Sequence, residues 1–334
     1  MTEKAKNTST KAKPKSKAKD KPKPKDTTPP PVNAEAPQSV SALWSAAKPA
    51  SSLTQFSKLK ILLAGASGGG KSTTGAKFER PLYVPTEMQA IPIIQHTNPN
   101  AIIFHNSDGR PGIRDSRDLQ QFRAMIHDPD LSNKVDAVVL DSITDCQRII
   151  KDAYVRAQGT GNKSPDQNTW GNIIDLTARL AREVRDLDVH ALVTVLDKEI
   201  ENNGLIIHRP SVQGKTLPND LAQYFNLVGF AFAEEMDGGE IRNSTMFRAS
   251  SDRYMVKKLP QLDDIEAPEP LLWASKVFGD TQPDAVKERV EAWAILDGEP
   301  EPDDVDLDTE TDEPDEKEEA SEKKPDRDDP FADQ

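Results

Sequence analysis

The chain has one cysteine, Cys146, in 334 residues. A single thiol can close no intramolecular disulfide and build no Cys-based zinc site. Aromatic residues make up only 5% of the sequence and hydrophobic residues 35%. No stretch approaches the ~18 consecutive apolar residues that a membrane helix needs. The N-terminus carries lysines but lacks the apolar segment of a secretory signal. The five histidines, His96, His105, His127, His190 and His208, show no metal-ligand spacing. Disulfide scaffolds, zinc modules and membrane spans are thereby excluded. The expectation is a soluble cytoplasmic protein with no membrane partner.

What is present is charge, unevenly distributed. The formal net charge is −13. Residues 1–26 hold ten Lys against three acids, and residues 297–334 hold 19 acids against four bases. The middle, 27–296, is nearly balanced at −5. Such Lys/Pro-rich and acidic ends bury too little apolar surface to offset the entropy of ordering them. The expected organisation is a disordered basic tail over 1–38, an ordered domain over 39–296 and a disordered acidic tail over 297–334. Cys146 falls on the inner face of an expected helix, where a small hydrophobe belongs.

Within the middle, strand-like and helix-like segments alternate. Strands are predicted at 59–64, 81–85, 101–105, 135–140, 189–196, 204–208, 227–233, 241–248 and 253–257. Helices are predicted at 70–78, 115–127, 143–157, 171–187, 218–224 and 283–295. In 171–187, Ile173, Leu176, Leu180, Val184 and Leu187 recur at helical spacing. The segments 59–64 and 135–140 are unbroken apolar runs, as parallel strands covered on both faces require. The pattern predicts an α/β fold with a mostly parallel central sheet flanked by helices. Turn signals at Asn203-Gly204 and Gly238-Gly239 add antiparallel hairpins at its edge.

The most specific signal is Gly65-Ala66-Ser67-Gly68-Gly69-Gly70-Lys71-Ser72, followed by Thr73. It fits G-x-x-x-x-G-K-[ST], with an apolar strand before it and a helix after it. Glycines let successive backbone N–H groups turn inward around an anion. Lys71 is then placed for the β- and γ-phosphates and Ser72 for Mg²⁺. Some 70 residues later, Ala137-Val138-Val139-Leu140-Asp141 is an apolar strand ending in an acid. Ligands of such sheets sit beyond the carboxyl ends of the strands, so Asp141 is a second Mg²⁺ residue. The chain has no N/T-K-x-D guanine reader, no LSGGQ-like signature and no Arg-rich lid.

In the order and spacing of these motifs, residues 58–260 resemble RecA-type P-loop ATPases. The resemblance is greatest to phage-encoded RecA-like proteins of single-strand annealing and recombination. It implies ATP and Mg²⁺ as ligands, and Glu87, ending Leu82–Glu87, as the general base. It likens Asp141-Ser142 to the acid-Ser pair closing the Walker B strand, and puts Thr194 or Lys198 near a γ-phosphate sensor. It implies two loops for single-stranded DNA, about 158–170 and 197–216. The first holds Lys163 and Trp170, although Trp170, opening a helix, suits packing better. The second holds Lys198, His208, Arg209 and Lys215. It also implies a ring or filament of identical subunits. In such an oligomer Lys257 and Lys258, or else Arg253 or Arg248, would reach a neighbour's nucleotide.

The function expected from the resemblance is ATP hydrolysis acting on single-stranded DNA in phage recombination, annealing or replication. For a phage-encoded chain, the compartment is the host cytoplasm. A partition or packaging motor, or a nucleotide-gated adaptor with little turnover, are the alternatives. The acidic tail could compete with DNA for basic loops. Its end, Asp328-Asp329-Pro330-Phe331, faintly resembles the tip by which bacterial single-strand-binding proteins recruit partners. The basic head could hold DNA weakly, without sequence preference. The tails are thus also expected to contact single-strand-binding or replication proteins.

Overall fold

β1 (Lys60–Gly65, KILLAG) is apolar because it lies in the middle of the sheet, covered on both faces. The computed structural model describes residues 58–159, 164–202, 204–236, 239–249, 256–279 and 281–295. Both charged tails lie outside the described residues, as do Lys163 and Arg253. Around β1, the strands are β2 (Pro81–Pro85), β3 (Ile102–Ile103), β4 (Ala137–Asp141), β5 (His190–Asn202), β6 (Leu205–Pro210), β7 (Leu227–Glu235), β8 (Ile241–Met246) and β9 (Ile265–Glu266). Their order is β3-β2-β4-β5-β1-β7-β8-β9, with β6 paired to β5. β3, β2, β4, β5, β1 and β7 run parallel. β8 and β9 add an antiparallel edge, and β6 folds back on the far half of β5. The expected architecture is the one observed: a mostly parallel sheet, helices on its faces and antiparallel hairpins.

Nine helices accompany the strands among the described residues. They are α1 (Lys71–Ala76), α2 (Ala90–Thr97), α3 (Ser116–Ile126), α4 (Leu131–Lys134), α5 (Ile143–Ala157), α6 (Gln167–Arg185), α7 (Leu217–Gln223), α8 (Pro270–Phe278) and α9 (Asp284–Ile295). Alternate side chains of each strand point to opposite faces. Leu62, Val84, Leu140 and Val193 therefore join Phe122 of α3, Ile150 of α5 and Leu180 of α6 in one core. Ile61, Leu63, Val139 and Leu192 join Ala76 of α1, Ile94 of α2 and Trp273 of α8 in the other. Cys146, fully buried, belongs to the first.

Several boundaries differ from the sequence-based expectation. α6 starts at Gln167 rather than 171 because Asp166 caps it, accepting from the Thr169 N–H at 2.7 Å. Trp170 is thus inside a helix, half-buried against the core. β5 continues to Asn202 because β6 pairs with its second half, from Asp197↔Pro210 to Asn202↔Leu205. The strand expected at 101–105 shrinks to Ile102–Ile103. Residues 253–255 of the strand expected at 253–257 lie outside the described residues, and Lys257 forms only a single bridge to Val228. α2, α4, α8 and β9 were not expected. α8 begins on Pro270, which belongs in a first helical turn because that N–H needs no partner there.

Candidate functional site

The loop after β1 turns at the C-terminal ends of the parallel strands. Gly68 and Gly70 have φ of 84°, the left-handed region that glycine enters without a steric penalty. The loop is also pressed onto β7. A Cβ on Gly65 would lie 2.4 Å from the Ala231 carbonyl oxygen, and one on Gly69 2.7 Å from it. Lys71 is 8% exposed. Its Nζ donates to the carbonyls of Gly65 at 2.9 Å and Ala66 at 2.6 Å. Burial lowers the ammonium pKa, while Asp141, Glu87 and Asp197 oppose that shift. Lys71 lies in the wall of a cleft of about 340 Å³ whose lining also includes Ser72, Thr73, Glu87, Asp141 and Asn243.

Asp141, the last residue of β4, collects three hydroxyls. The Ser72 Oγ donates to its Oδ2 at 2.7 Å and the Tyr83 hydroxyl to the same oxygen at 2.5 Å. The Thr194 Oγ1 donates to Oδ1 at 2.5 Å. Tyr83 comes from β2 and Thr194 from β5, the strands on either side of β4. The parallel sheet itself therefore aims these groups at the carboxylate. Burial, and then Asp141, hold the Tyr83 phenol well above its ordinary pKa, so it remains a donor. The peptide bond Asp141–Ser142 is cis. Ser72 and Asp141 offer a hydroxyl and a carboxylate that converge, and hard oxygen donors of this kind suit Mg²⁺. They are the residues that would hold that ion.

Glu87 sits just past β2, on the same cleft. Partial desolvation, then the like charge and hydrogen bond of Asp145, raise its carboxyl pKa. Asp141 acts the same way, and Arg148 opposes them. The corner is tied together by Thr86, whose Oγ1 donates to the Asp141 carbonyl at 2.9 Å and accepts from the Ser142 N–H at 3.0 Å. Ser142 caps α5 and donates from Oγ to Asp145 Oδ2 at 3.0 Å. Asp145 also receives Arg148 Nη1 at 2.5 Å.

Beyond this corner lies a second cleft of about 280 Å³, with Arg148 and Lys151 from α5 and Lys198 and Arg209 from the β5–β6 hairpin. Buried Gln147 pins its far wall. Its Nε2 donates to the Gln213 carbonyl at 2.9 Å, and its Oε1 accepts from the Gln213 N–H at 2.5 Å.

The phosphate-loop residues, Thr73, Glu87 and Asp141 thus converge on one cleft, whereas Lys257 and Lys258 do not join them. Lys257 Nζ donates to the carbonyls of Phe225 at 2.8 Å and Ala222 at 3.4 Å, capping the end of α7. Lys258 pairs with Asp264 at 2.5 Å. Thr194 holds Asp141, while Lys198 belongs to the basic cleft. Sequence reasoning missed Tyr83, Thr86, Asp145, Arg148, Lys151 and Asn243. Only Asp145 left a readable sign, three positions after a capping serine. It also missed that Asp197, Glu199 and His208 share one face of the hairpin, their ligand atoms within 4.8 Å of one another. There Asp197 receives His208 Nδ1 at 2.5 Å. No described helix is long and apolar enough to cross a membrane.

No curated protein matches the sequence. Among solved structures, a KaiC-like protein from the hyperthermophilic archaeon Pyrococcus horikoshii OT3 is similar at 13% identity and a TM-score of 0.32. That similarity covers 58% of this chain and 80% of the other. An ATPase from the type III secretion system of pathogenic bacteria is similar at 12% identity and a TM-score of 0.32. Here 52% of this chain is covered, and it spans about half the length of that one, 51%. The family described as "AAA domain" matches residues 57–258, from just before β1 to just past the Lys257 bridge. The chain belongs to the AAA domain family, as a P-loop ATPase built on a mostly parallel sheet.

Proposed function

We propose that the chain hydrolyses ATP at the Lys71–Glu87–Asp141 cleft and couples that turnover to single-stranded DNA, in recombination, annealing or replication. The loop N–H groups and Lys71 bind the phosphates. Glu87 orients the attacking water and takes its proton, and its raised pKa makes it a stronger base. Tyr83 and Thr194 fix the Asp141 carboxylate. Mg²⁺, when bound by Ser72 and Asp141, supplies neutralising charge to the phosphate oxygens.

The observation that carries the DNA reading is the placement of α5. One helix presents Asp145 to Glu87 and, one turn on, Arg148 and Lys151 to the basic cleft. A polyanion that engages Arg148 alters the same group that sets the charge beside Glu87. Four cations converging on a cleft suit a phosphate backbone. A ring or filament is part of this reading. With Lys257 spent on the end of α7, Lys258, away from its own chain's cleft, is the cation a neighbouring copy's nucleotide would meet.

Fluorescence anisotropy of a labelled oligo(dT) tests the DNA reading across a salt series. Double replacement of Lys198 and Arg209 by Ala is expected to weaken binding and flatten the log–log salt slope by about one to two. Unchanged affinity and slope would remove the basic cleft from the reading.

A further inference from the structure

A third cleft, of about 290 Å³, lies on the other side of α1 and shares Gly70, Thr73 and Asn243 with the phosphate cleft. Its walls are largely carbon, from Ile241 of β8, Ala267, Pro268 and the Ala292–Trp293 edge of α9. Ile241 is 62% exposed, a large apolar side chain that folding leaves in water. The charges around it are already satisfied. Buried Glu269 receives Lys77 at 2.7 Å and Arg289 through two contacts of 2.8 Å. Arg242 pairs with Glu234 at 2.7 Å. A cleft of neutralised charges and apolar walls suits a flat, uncharged group better than another anion.

Trp293 is held in place. Its Nε1 donates to the Asn243 carbonyl at 3.0 Å, and the Arg242 guanidinium lies 4.8 Å from its ring centroid. Gly70 keeps α1 against Asn243, since a Cβ there would lie 3.1 Å from the Asn243 amide carbon and oxygen. The Asn243 side chain therefore stands where the two clefts meet.

We propose that this cleft receives the nucleoside of the nucleotide whose phosphates occupy the loop, so that α9, outside the family-matched residues, completes the binding site. The proposal rests on the phosphate-loop reading and extends it. Glu87 and Asp141 lie on the opposite side of Gly70 and Thr73, which orients the terminal phosphate toward them and the nucleoside toward Trp293. The base packs on the Trp293 and Ile241 wall. The Asn243 amide has one donor and one acceptor edge, the pairing that reads adenine at N6 and N7. Asn243 is thus a specificity residue for adenine.

Calorimetric titration of the full chain with Mg-ATP, Mg-GTP and base-free tripolyphosphate tests this, alongside Trp293→Ala, Ile241→Asp and Asn243→Ala. Each of the first two is expected to weaken ATP by about tenfold or more, the scale of one lost base–aromatic contact. Tripolyphosphate affinity should stay within about twofold of wild type, on the same scale. Asn243→Ala should bring ATP and GTP together. ATP affinity unchanged in Ile241→Asp, which alters an exposed position, would overturn the proposal. So would a parallel loss of ATP and tripolyphosphate in both wall variants. A wild-type chain that binds neither ligand would overturn the phosphate-loop reading beneath it.

Discussion

The Arg148 guanidinium lies 2.5 Å from Asp145 Oδ1, and Asp145 is the carboxylate that faces Glu87. Arg148 is 58% exposed and Asp145 14%, so the cation reaches solvent while the acid is largely buried beside Glu87. Arg148 lowers the Glu87 pKa and Asp145 raises it. Arg148→Ala should therefore move the acidic limb of the ATPase pH profile upward, and Asp145→Asn should move it downward. A kcat profile from pH 4.5 to 8 for the three proteins checks both signs.

Asp141 carries the positioning work of three strands. Tyr83→Phe removes one hydroxyl from its Oδ2 and Thr194→Val one from its Oδ1. Each should cost about 1–2 kcal/mol of stability, because a half-buried acceptor loses a donor. Each should also lower kcat several-fold while ATP affinity holds. Urea unfolding and steady-state kinetics read the two effects separately.

The glycines that touch Ala231 leave no room for a side chain. In Gly69→Ala the new Cβ would meet the Ala231 carbonyl oxygen at 2.7 Å, and backbone has to move. A loss of ATP affinity of at least about tenfold is expected, with stability falling by about 1–3 kcal/mol as in other overpacked sites. Gly68→Ala faces no neighbour within 4 Å, although its φ of 84° costs about 1–2 kcal/mol. Nucleotide titration should rank Gly69→Ala as the more damaging.

His190 offers a pH-dependence remote from catalysis. It is 7% exposed, accepts from the Leu59 N–H at 3.1 Å through Nδ1, and stacks on Phe78. Burial, helped by Lys58 and Lys60, pushes its pKa from 6.5 down to about 4. Between those values the unfolded chain binds more protons than the folded one, so stability rises with pH through that window. The contribution is complete above about pH 6.5 and lost as pH falls toward 4; its size is about 3 kcal/mol. On lowering the pH from 7 to 4, the melting temperature should fall more steeply for wild type than for His190→Gln.

The phosphate loop and Asp141 were legible because each is fixed by local chemistry: glycines at set spacing and an apolar run ending in an acid lie within short stretches. Glu87, two residues past β2, was reached only through the resemblance to RecA-type ATPases. The apolar runs likewise announced the parallel strands. Tyr83 and Thr194 were not legible as a pair, because what unites them on Asp141 is strand order: β2 and β5 flank β4. The basic cleft combines α5 with a hairpin some 50 residues further on, and no local pattern links the two. α2 was hidden by Pro92, which is tolerated because it falls in the first turn, where its missing N–H is no loss. Lys257 looked free in sequence, yet the fold spends it on the end of α7.

The most direct measurement is phosphate release by the full chain against single-stranded DNA concentration, for wild type and Glu87→Gln, with ATP binding measured in parallel. Wild type should show a saturable, several-fold rise in rate. Glu87→Gln should bind ATP normally yet release phosphate at least about a hundredfold more slowly, with or without DNA. A wild-type rate indifferent to DNA, or full turnover in Glu87→Gln, would contradict the account.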